Sequence, residues 1–368
     1  SGCQESQDQG FDFRGIDIET LSKEKAWARA GKRVVQSLPF ARSTIGQQVL
    51  LPMQLRFGTR VKLDALHFPA HMDAPAWCPL PYAITVLDLI PLVLSDLYKA
   101  DRPGWRYHLA RWFELTGIRN ASLVFAISQN TAFDVHNILG IPYDKIVVTP
   151  LGVSEKFQSL RPLTSVDQQR VRSELGICSD TQVVLYVGGI DPRKNMLGLI
   201  EVHAGLCERA KSEHRTPPVL VLAGDIKRDR EYPKLRQLIE RFQLAPLVRE
   251  LGFVSDERLG DLYQCSSCLL FPSLYEGFGL TPLEAMSAGL PVVSSNTSAM
   301  PEVIGGAGVL YDPTDVKAGI AAVESILLDH ERANELRALG LKQSARFTWE
   351  ATVEKTIAGY DRLRKMRK

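Results

Sequence analysis

A chain of 368 residues, 45% hydrophobic and 23% charged, carries enough apolar side chain to bury sizeable cores, which excludes intrinsic disorder and favours two domains over one. Lys and Arg total 44 against 42 Asp and Glu, and this net charge of +2 argues against an extended nucleic-acid surface. Six cysteines are too sparse for a disulfide scaffold, no run approaches the roughly 18 apolar residues of a membrane span, and the polar start SGCQESQDQG is not a signal peptide. The sequence therefore reads as cytoplasmic. Cys265 and Cys268 have CxxC spacing, but no second pair or histidine cluster completes a metal site, so a buried structural role is expected.

From the amino end, FDFRGIDIETLSKEKAWARAGKRVVQSLPF at 11–40 opens polar and without an obvious first strand. Strands are predicted at DALHF (64–68), YAITVL (82–87), SLVFAIS (122–128) and KIVVTP (145–150), and helices near 43–57, 104–116 and 130–139. The stretch 152–180 has little strand pattern and contains RPLTSVDQQ, which reads as a connection between domains with the boundary near Leu160. From about Asp180 the apolar runs VVLYVG (183–188), VLVLAG (219–224), VRELGFV (248–254), CLLFPS (268–273) and PVVSS (291–295) suit strands covered on both faces. Between them, Leu199, Ile200, His203 and Leu206 recur at helical spacing, as do Leu235, Leu238 and Phe242. This alternation predicts an α/β fold with doubly wound parallel sheets. The division expected is 1–160 for the first domain and 161–347 for the second, with a terminal helix over 348–368 packed back on the first.

Two stretches carry chemistry. In EGFGLTPLEAMSAGLPVV (276–293), Thr281-Pro282-Leu283-Glu284 reads as a helix start: Thr caps, Pro suits the first position, and Glu stands three residues after Thr. Its open amides and the positive end of the helix dipole would suit phosphate, and Gly277 and Gly279 would let a ligand approach the backbone. On a blander reading, Glu284 closes a capping box and Glu276 is an exposed turn acid. The second stretch, YVGGIDPRKN (186–195), places Gly188, Gly189, Arg193 and Lys194 between a strand end and a helix. In a doubly wound sheet both turns can face one crevice beyond the carboxyl ends of the strands. Arg grips phosphate oxygens through its planar fork and Lys supplies a compact charge. Neither stretch is a Walker A loop, and neither has the GxGxxG spacing of an NAD site. Cations for a diphosphate and carboxylates for hydroxyls point to a nucleotide sugar.

With VGGIDPRKN, LGFVSDERLGDLY (251–263) and FPSLYEGFGLTPLEAMSAGLPVVSSNTSAMPEV (271–303) in this order, the sequence resembles the retaining GT-B glycosyltransferases of family 4, in particular bacterial O-antigen mannosyl- and glucosyltransferases. The resemblance runs from about Asp64 to Phe347. It implies two Rossmann-like domains facing a central cleft, with the donor on the second and the acceptor on the first. It implies that Glu276 holds hydroxyls of the donor sugar and Glu284 the ribose diol. Gly277, Phe278, Gly279 and Leu280 would contact sugar and phosphate through the backbone, and Thr281 through its hydroxyl. Arg193 and Lys194 would hold the diphosphate beside Gly188 and Gly189, with Val254 near the nucleobase. The catalytic set so implied is Arg193, Lys194, Glu276 and Asp88, with His67 and Asp88 on the acceptor side. The family frequently has His-Asp where this chain has Leu87-Asp88.

The expected reaction is retaining transfer of a hexose, mannose in the first instance, from GDP-mannose or UDP-glucose to a glycan or lipid-linked glycan acceptor, without a required metal. The alternatives are a nucleotide-sugar hydrolase or glycan phosphorylase, and a noncatalytic nucleotide-sugar-binding or assembly protein. Trp105, Arg106, His108, Arg111, Trp112 and Phe113 make an aromatic-basic helical stretch, read either as interdomain packing or as peripheral contact with the inner face of the membrane.

Overall fold

The computed structural model describes residues 46–57, 63–98 and 104–366. The expectations for 11–40 and for the first residues of the 43–57 helix lie outside the described residues. The chain forms two compact units, one of Ser1–Pro150 with Glu350–Lys368 and one of Leu151–Trp349.

The first unit is built on a four-stranded parallel sheet of β1 (Leu66–Phe68), β2 (Tyr82–Val86), β3 (Leu123–Ala126) and β4 (Ile146–Val148), in spatial order β1-β2-β3-β4. Its helices include α1 (Leu51–Phe57), α2 (Gly104–Asn120) and α3 (Gln129–Leu139). The central strands are apolar along their length because both faces are covered. On one face Ile84, Val86, Val124 and Ala126 pack with Val135 and Leu139 of α3. On the other, Ala83, Leu123 and Phe125 meet Leu363 of the terminal helix, Trp349–Lys365. That helix comes so near the sheet that a Cβ on Gly359 would stand 2.4 Å from Phe125 Cε1.

The second unit holds a six-stranded parallel sheet: β5 (Val183–Val187), β6 (Val219–Ala223), β7 (Val248–Gly252), β8 (Cys268–Phe271), β9 (Val292–Ser295) and β10 (Val309–Tyr311). The spatial order is β10-β9-β8-β5-β6-β7, so the winding reverses between β5 and β8. Its helices include α4 (Ser165–Glu174), α5 (Met196–Ser212), α6 (Tyr232–Arg241), α7 (Asp256–Cys265), α8 (Leu280–Ser287), α9 (Met300–Ile304), α10 (Val316–Leu327) and α11 (His330–Ser344). The stretch 152–180 is built into this unit. Thr164 caps α4 by accepting the Asp167 N–H, and Arg172 donates to the Cys265 carbonyl at 3.1 Å. Cys265 and Cys268 are buried free thiols at the α7–β8 turn. Among the described residues no helix is long and apolar enough to cross a membrane.

Candidate functional site

Ligands of open parallel sheets bind outside the carboxyl ends of the strands, at the point where strand order reverses. Here that point lies between β5 and β8, and the loops leaving those strands are the two stretches singled out by their composition. After Val187 the chain passes Gly188, whose N–H donates to the Ala223 carbonyl at 2.9 Å, and Gly189, whose carbonyl accepts the Tyr186 hydroxyl. A single 3-10 turn, Pro192–Lys194, follows, and the Asp191 carboxylate accepts the Arg193 N–H at 3.1 Å.

Asn195 then does three things. It adopts the left-handed backbone conformation (φ 55°), caps α5 by accepting the Gly198 N–H at 3.2 Å, and donates to the carbonyls of Pro272 and Pro313 at 3.2 and 2.9 Å. With the Leu274 N–H bonded to the Arg193 carbonyl at 2.7 Å, these contacts staple the β5 loop to the β8 loop.

The staple brings three charged side chains together. Glu276 accepts from Arg193 Nη1 through one carboxylate oxygen and from Lys194 Nζ through the other, both at 2.6 Å. Arg193 Nε also lies 3.6 Å from the Asp191 carboxylate. Glu276 is only 8% exposed, and its N–H is held by the Ser298 hydroxyl at 2.9 Å. Lys194 sits over the Phe271 ring, 4.9 Å from its centroid. Burial pulls the Lys194 ammonium below its ordinary pKa, with the Glu276 charge opposing that shift. Removing Glu276 would leave two largely enclosed cations without the partner they share.

The β8 loop enters α8 differently from the expected Thr281 cap. The N-cap is Gly279, at φ 121° and ψ 49°, and no side chain caps the helix. The Thr-Pro-x-Glu signature is local, whereas the entry angle is set by packing: a Cβ on Gly279 would lie 2.4 Å from Met300 Cε. Thr281 falls inside the first turn, and Glu284 closes no capping box. The Glu284 carboxylate instead stands 3.4 Å from the Tyr263 hydroxyl of α7. Burial pushes the Glu284 carboxyl up to about 7, the Tyr263 hydroxyl opposing the rise. The same enclosure raises the Tyr263 hydroxyl well above its usual range.

Of the remaining residues, Gly277 is buried and Leu280 is exposed at the helix start. Phe278 is buried edge-on against Phe347, with centroids 5.8 Å apart, so its ring serves packing. Val254 is half-buried between β7 and α7. In the first unit, Asp88 follows β2 and its carboxylate accepts the Ile90 N–H at 3.1 Å, a bond within its own turn. His67 on β1 is held by Tyr360 at 2.5 Å and Thr85 at 2.8 Å, and burial lowers its pKa to about 4. Sequence reasoning assigns nothing to Asn195, Ser298 or Tyr263. Asn195 and Tyr263 close motifs quoted above, but their partners are far away in sequence; Ser298 carries no local signal. Among the described residues, no three His, Cys, Asp or Glu side chains are grouped to hold a metal ion.

Residues 167–343 match the family described as "Glycosyl transferases group 1". O-antigen chain mannosyltransferase B of Escherichia coli is 36% identical over 243 residues, covering 66% of this chain and 61% of that protein. D-inositol 3-phosphate glycosyltransferase of Geodermatophilus obscurus is 30% identical over 330 residues, covering 84% of this chain and 71% of that one. The chain belongs to the group 1 glycosyltransferases. Its fold is GT-B, as in sucrose-phosphate synthase from Thermosynechococcus elongatus, which superposes with a TM-score of 0.68 at 21% identity over 90% of this chain and 79% of that one. The chain spans 61% of the length of the first relative and about a third of the length of further E. coli mannosyltransferases that it matches.

Proposed function

We propose that this group 1 glycosyltransferase moves mannose from GDP-mannose to a glycan or lipid-linked glycan acceptor, with retention of the anomeric configuration. The observation that carries this reading is the cluster of Arg193, Lys194 and Glu276 at the switch point of the second sheet. Two cations one residue apart suit the two phosphates of a nucleoside diphosphate, and a carboxylate beside them suits hydroxyls of the attached sugar. Glu284 takes the ribose diol; Gly188, Gly189, Thr281 and the backbone of 277–280 line the phosphates and sugar; Val254 borders the base. Mannose is chosen over glucose because mannosyltransferases are among the relatives with the higher identities.

In the reaction so proposed, Arg193 and Lys194 stabilise the negative charge that grows on the departing phosphate as the glycosidic bond breaks. The acceptor hydroxyl attacks from the face the diphosphate leaves, and the departing phosphate oxygen takes its proton. No protein base is then needed, which accommodates Leu87 in the place where the family frequently has histidine. Asp88 orients the acceptor. Exposure of Trp105 (69%) and Trp112 (57%) on α2 supports peripheral contact with a membrane bearing a lipid-linked acceptor.

The test is product analysis with GDP-mannose and a panel of glycan acceptors. The reading expects a mannosylated acceptor with retained configuration, and a loss of at least a hundredfold in turnover, about 2.7 kcal/mol of barrier, for both Glu276→Ala and Lys194→Ala. Unchanged turnover in either folded variant would reject it. Release of free mannose would favour the hydrolase, and donor binding without transfer a binding protein.

A further inference from the structure

We propose that Glu276 is an internal stand-in for the donor's diphosphate, and that its exchange between cations and sugar makes the site distinguish a nucleotide sugar from the bare nucleoside diphosphate. The proposal rests on reading these loops as the donor site.

Both oxygens of Glu276 are engaged at 2.6 Å, one by Arg193 and one by Lys194. With Asp191 beside Arg193, two carboxylates face two cations, so the cluster has no net positive charge before a ligand arrives. A diphosphate cannot gain the full attraction of the cations while the carboxylate keeps them. Glu276 must yield one or both ion pairs, and at 8% exposure it has little access to water once it does so. A buried carboxylate without partners is costly, so its departure needs replacement donors.

A donor sugar brings them, because its hydroxyls can bond Glu276 as the phosphates take Arg193 and Lys194. A bare nucleoside diphosphate brings phosphates without hydroxyls at that place, and its terminal phosphate carries more negative charge. It must either leave the cations with Glu276 or strand the carboxylate against an anion. The exchange is therefore favourable for substrate and unfavourable for product. After transfer, return of Glu276 to the two cations helps to expel the nucleotide.

The experiment is calorimetric titration of the full chain with inorganic pyrophosphate, GDP and GDP-mannose, in wild type, Glu276→Gln and Lys194→Gln. Removing one like charge next to the phosphates should tighten pyrophosphate and GDP at least tenfold in E276Q, while K194Q weakens both. GDP-mannose should gain less, because E276Q also loses the sugar contact, so the preference for the nucleotide sugar over GDP falls at least tenfold. Equal or weaker pyrophosphate binding in folded E276Q, with binding lost in K194Q, overturns the inference and leaves the donor-site reading standing. Tighter pyrophosphate in E276Q without GDP-mannose binding to wild type leaves Glu276 as a rival of the phosphates, but overturns its exchange with the donor sugar and discards the donor assignment. Pyrophosphate binding by none of the three proteins overturns both. If E276Q does not fold, Glu276→Asp keeps the charge one methylene shorter and cannot span both cations. A gain in pyrophosphate affinity is then expected, and its absence overturns the inference.

Discussion

Replacing Glu284 by Gln should make the second unit more stable above neutrality while weakening its grip on a nucleotide. Burial raises the Glu284 carboxyl from an ordinary 4.5 to about 7. The folded protein therefore holds this proton over a range where the unfolded chain has already released it, so stability falls as pH climbs from 4.5 to about 7 and is then level. At 1.36 kcal/mol per unit, ionising this carboxyl in its enclosed position costs about 3 kcal/mol at pH 8. Glutamine has the same shape and can still meet the Tyr263 hydroxyl, but it carries no charge to bury. Calorimetric melting of both proteins at pH 4 and pH 8 should show near-equal midpoints at the lower pH. At the higher pH, E284Q should melt higher by on the order of 5–10 °C. GDP-mannose affinity should rise between pH 6 and 8 in wild type, as the carboxylate proposed to take the ribose diol ionises, and stay flat and weaker in E284Q. A stability gain of the same size at both pH values, or none at pH 8, would refute the reasoning.

Two further perturbations test the packing around the site. Gly279→Ala forces a side chain into φ 121° and to within 2.4 Å of Met300 Cε, so a loss of about 1–3 kcal/mol is expected in urea unfolding; an unchanged midpoint would show that the turn relaxes freely. His203 is fully buried on α5, and burial lowers its pKa from 6.5 to about 4, so the stability it supports is present above pH 6.5 and lost as pH falls toward 4. His203→Gln should lose less stability than wild type between pH 7 and 4.5, by up to about 2–3 kcal/mol; identical losses in the two proteins would exclude the histidine as the cause.

Most strands were legible because central parallel strands are covered on both faces and therefore written as unbroken Val- and Leu-rich runs. β10 was not, because Val309, Leu310 and Tyr311 follow directly on Gly305, Gly306 and Gly308, turn formers that hide the run until β9 is seen alongside. The α8 cap was misread for a related reason. Thr281 and Glu284 satisfy a local rule, but the turn answers to Met300, a residue that no local window includes. At the site, the strand-end rule brought Arg193, Lys194 and Glu276 to one crevice. It assigned them separate tasks, however, cations to phosphate and carboxylate to sugar. Their direct pairing depends on Asn195 and Leu274 bonding across the loops, contacts between residues roughly eighty positions apart, which composition and spacing do not encode.

The terminal helix has a consequence for the order in which the protein assembles. Leu123 and Phe125 are covered by a helix that the ribosome makes only after the whole of Leu151–Trp349. During synthesis the six-stranded sheet can close while one face of the four-stranded sheet still waits for its lid, exposed to chaperones or to other nascent chains. The amino unit, made first, is thus completed last, and a ribosome stalled before Gly359 would leave its sheet open after the second unit is finished.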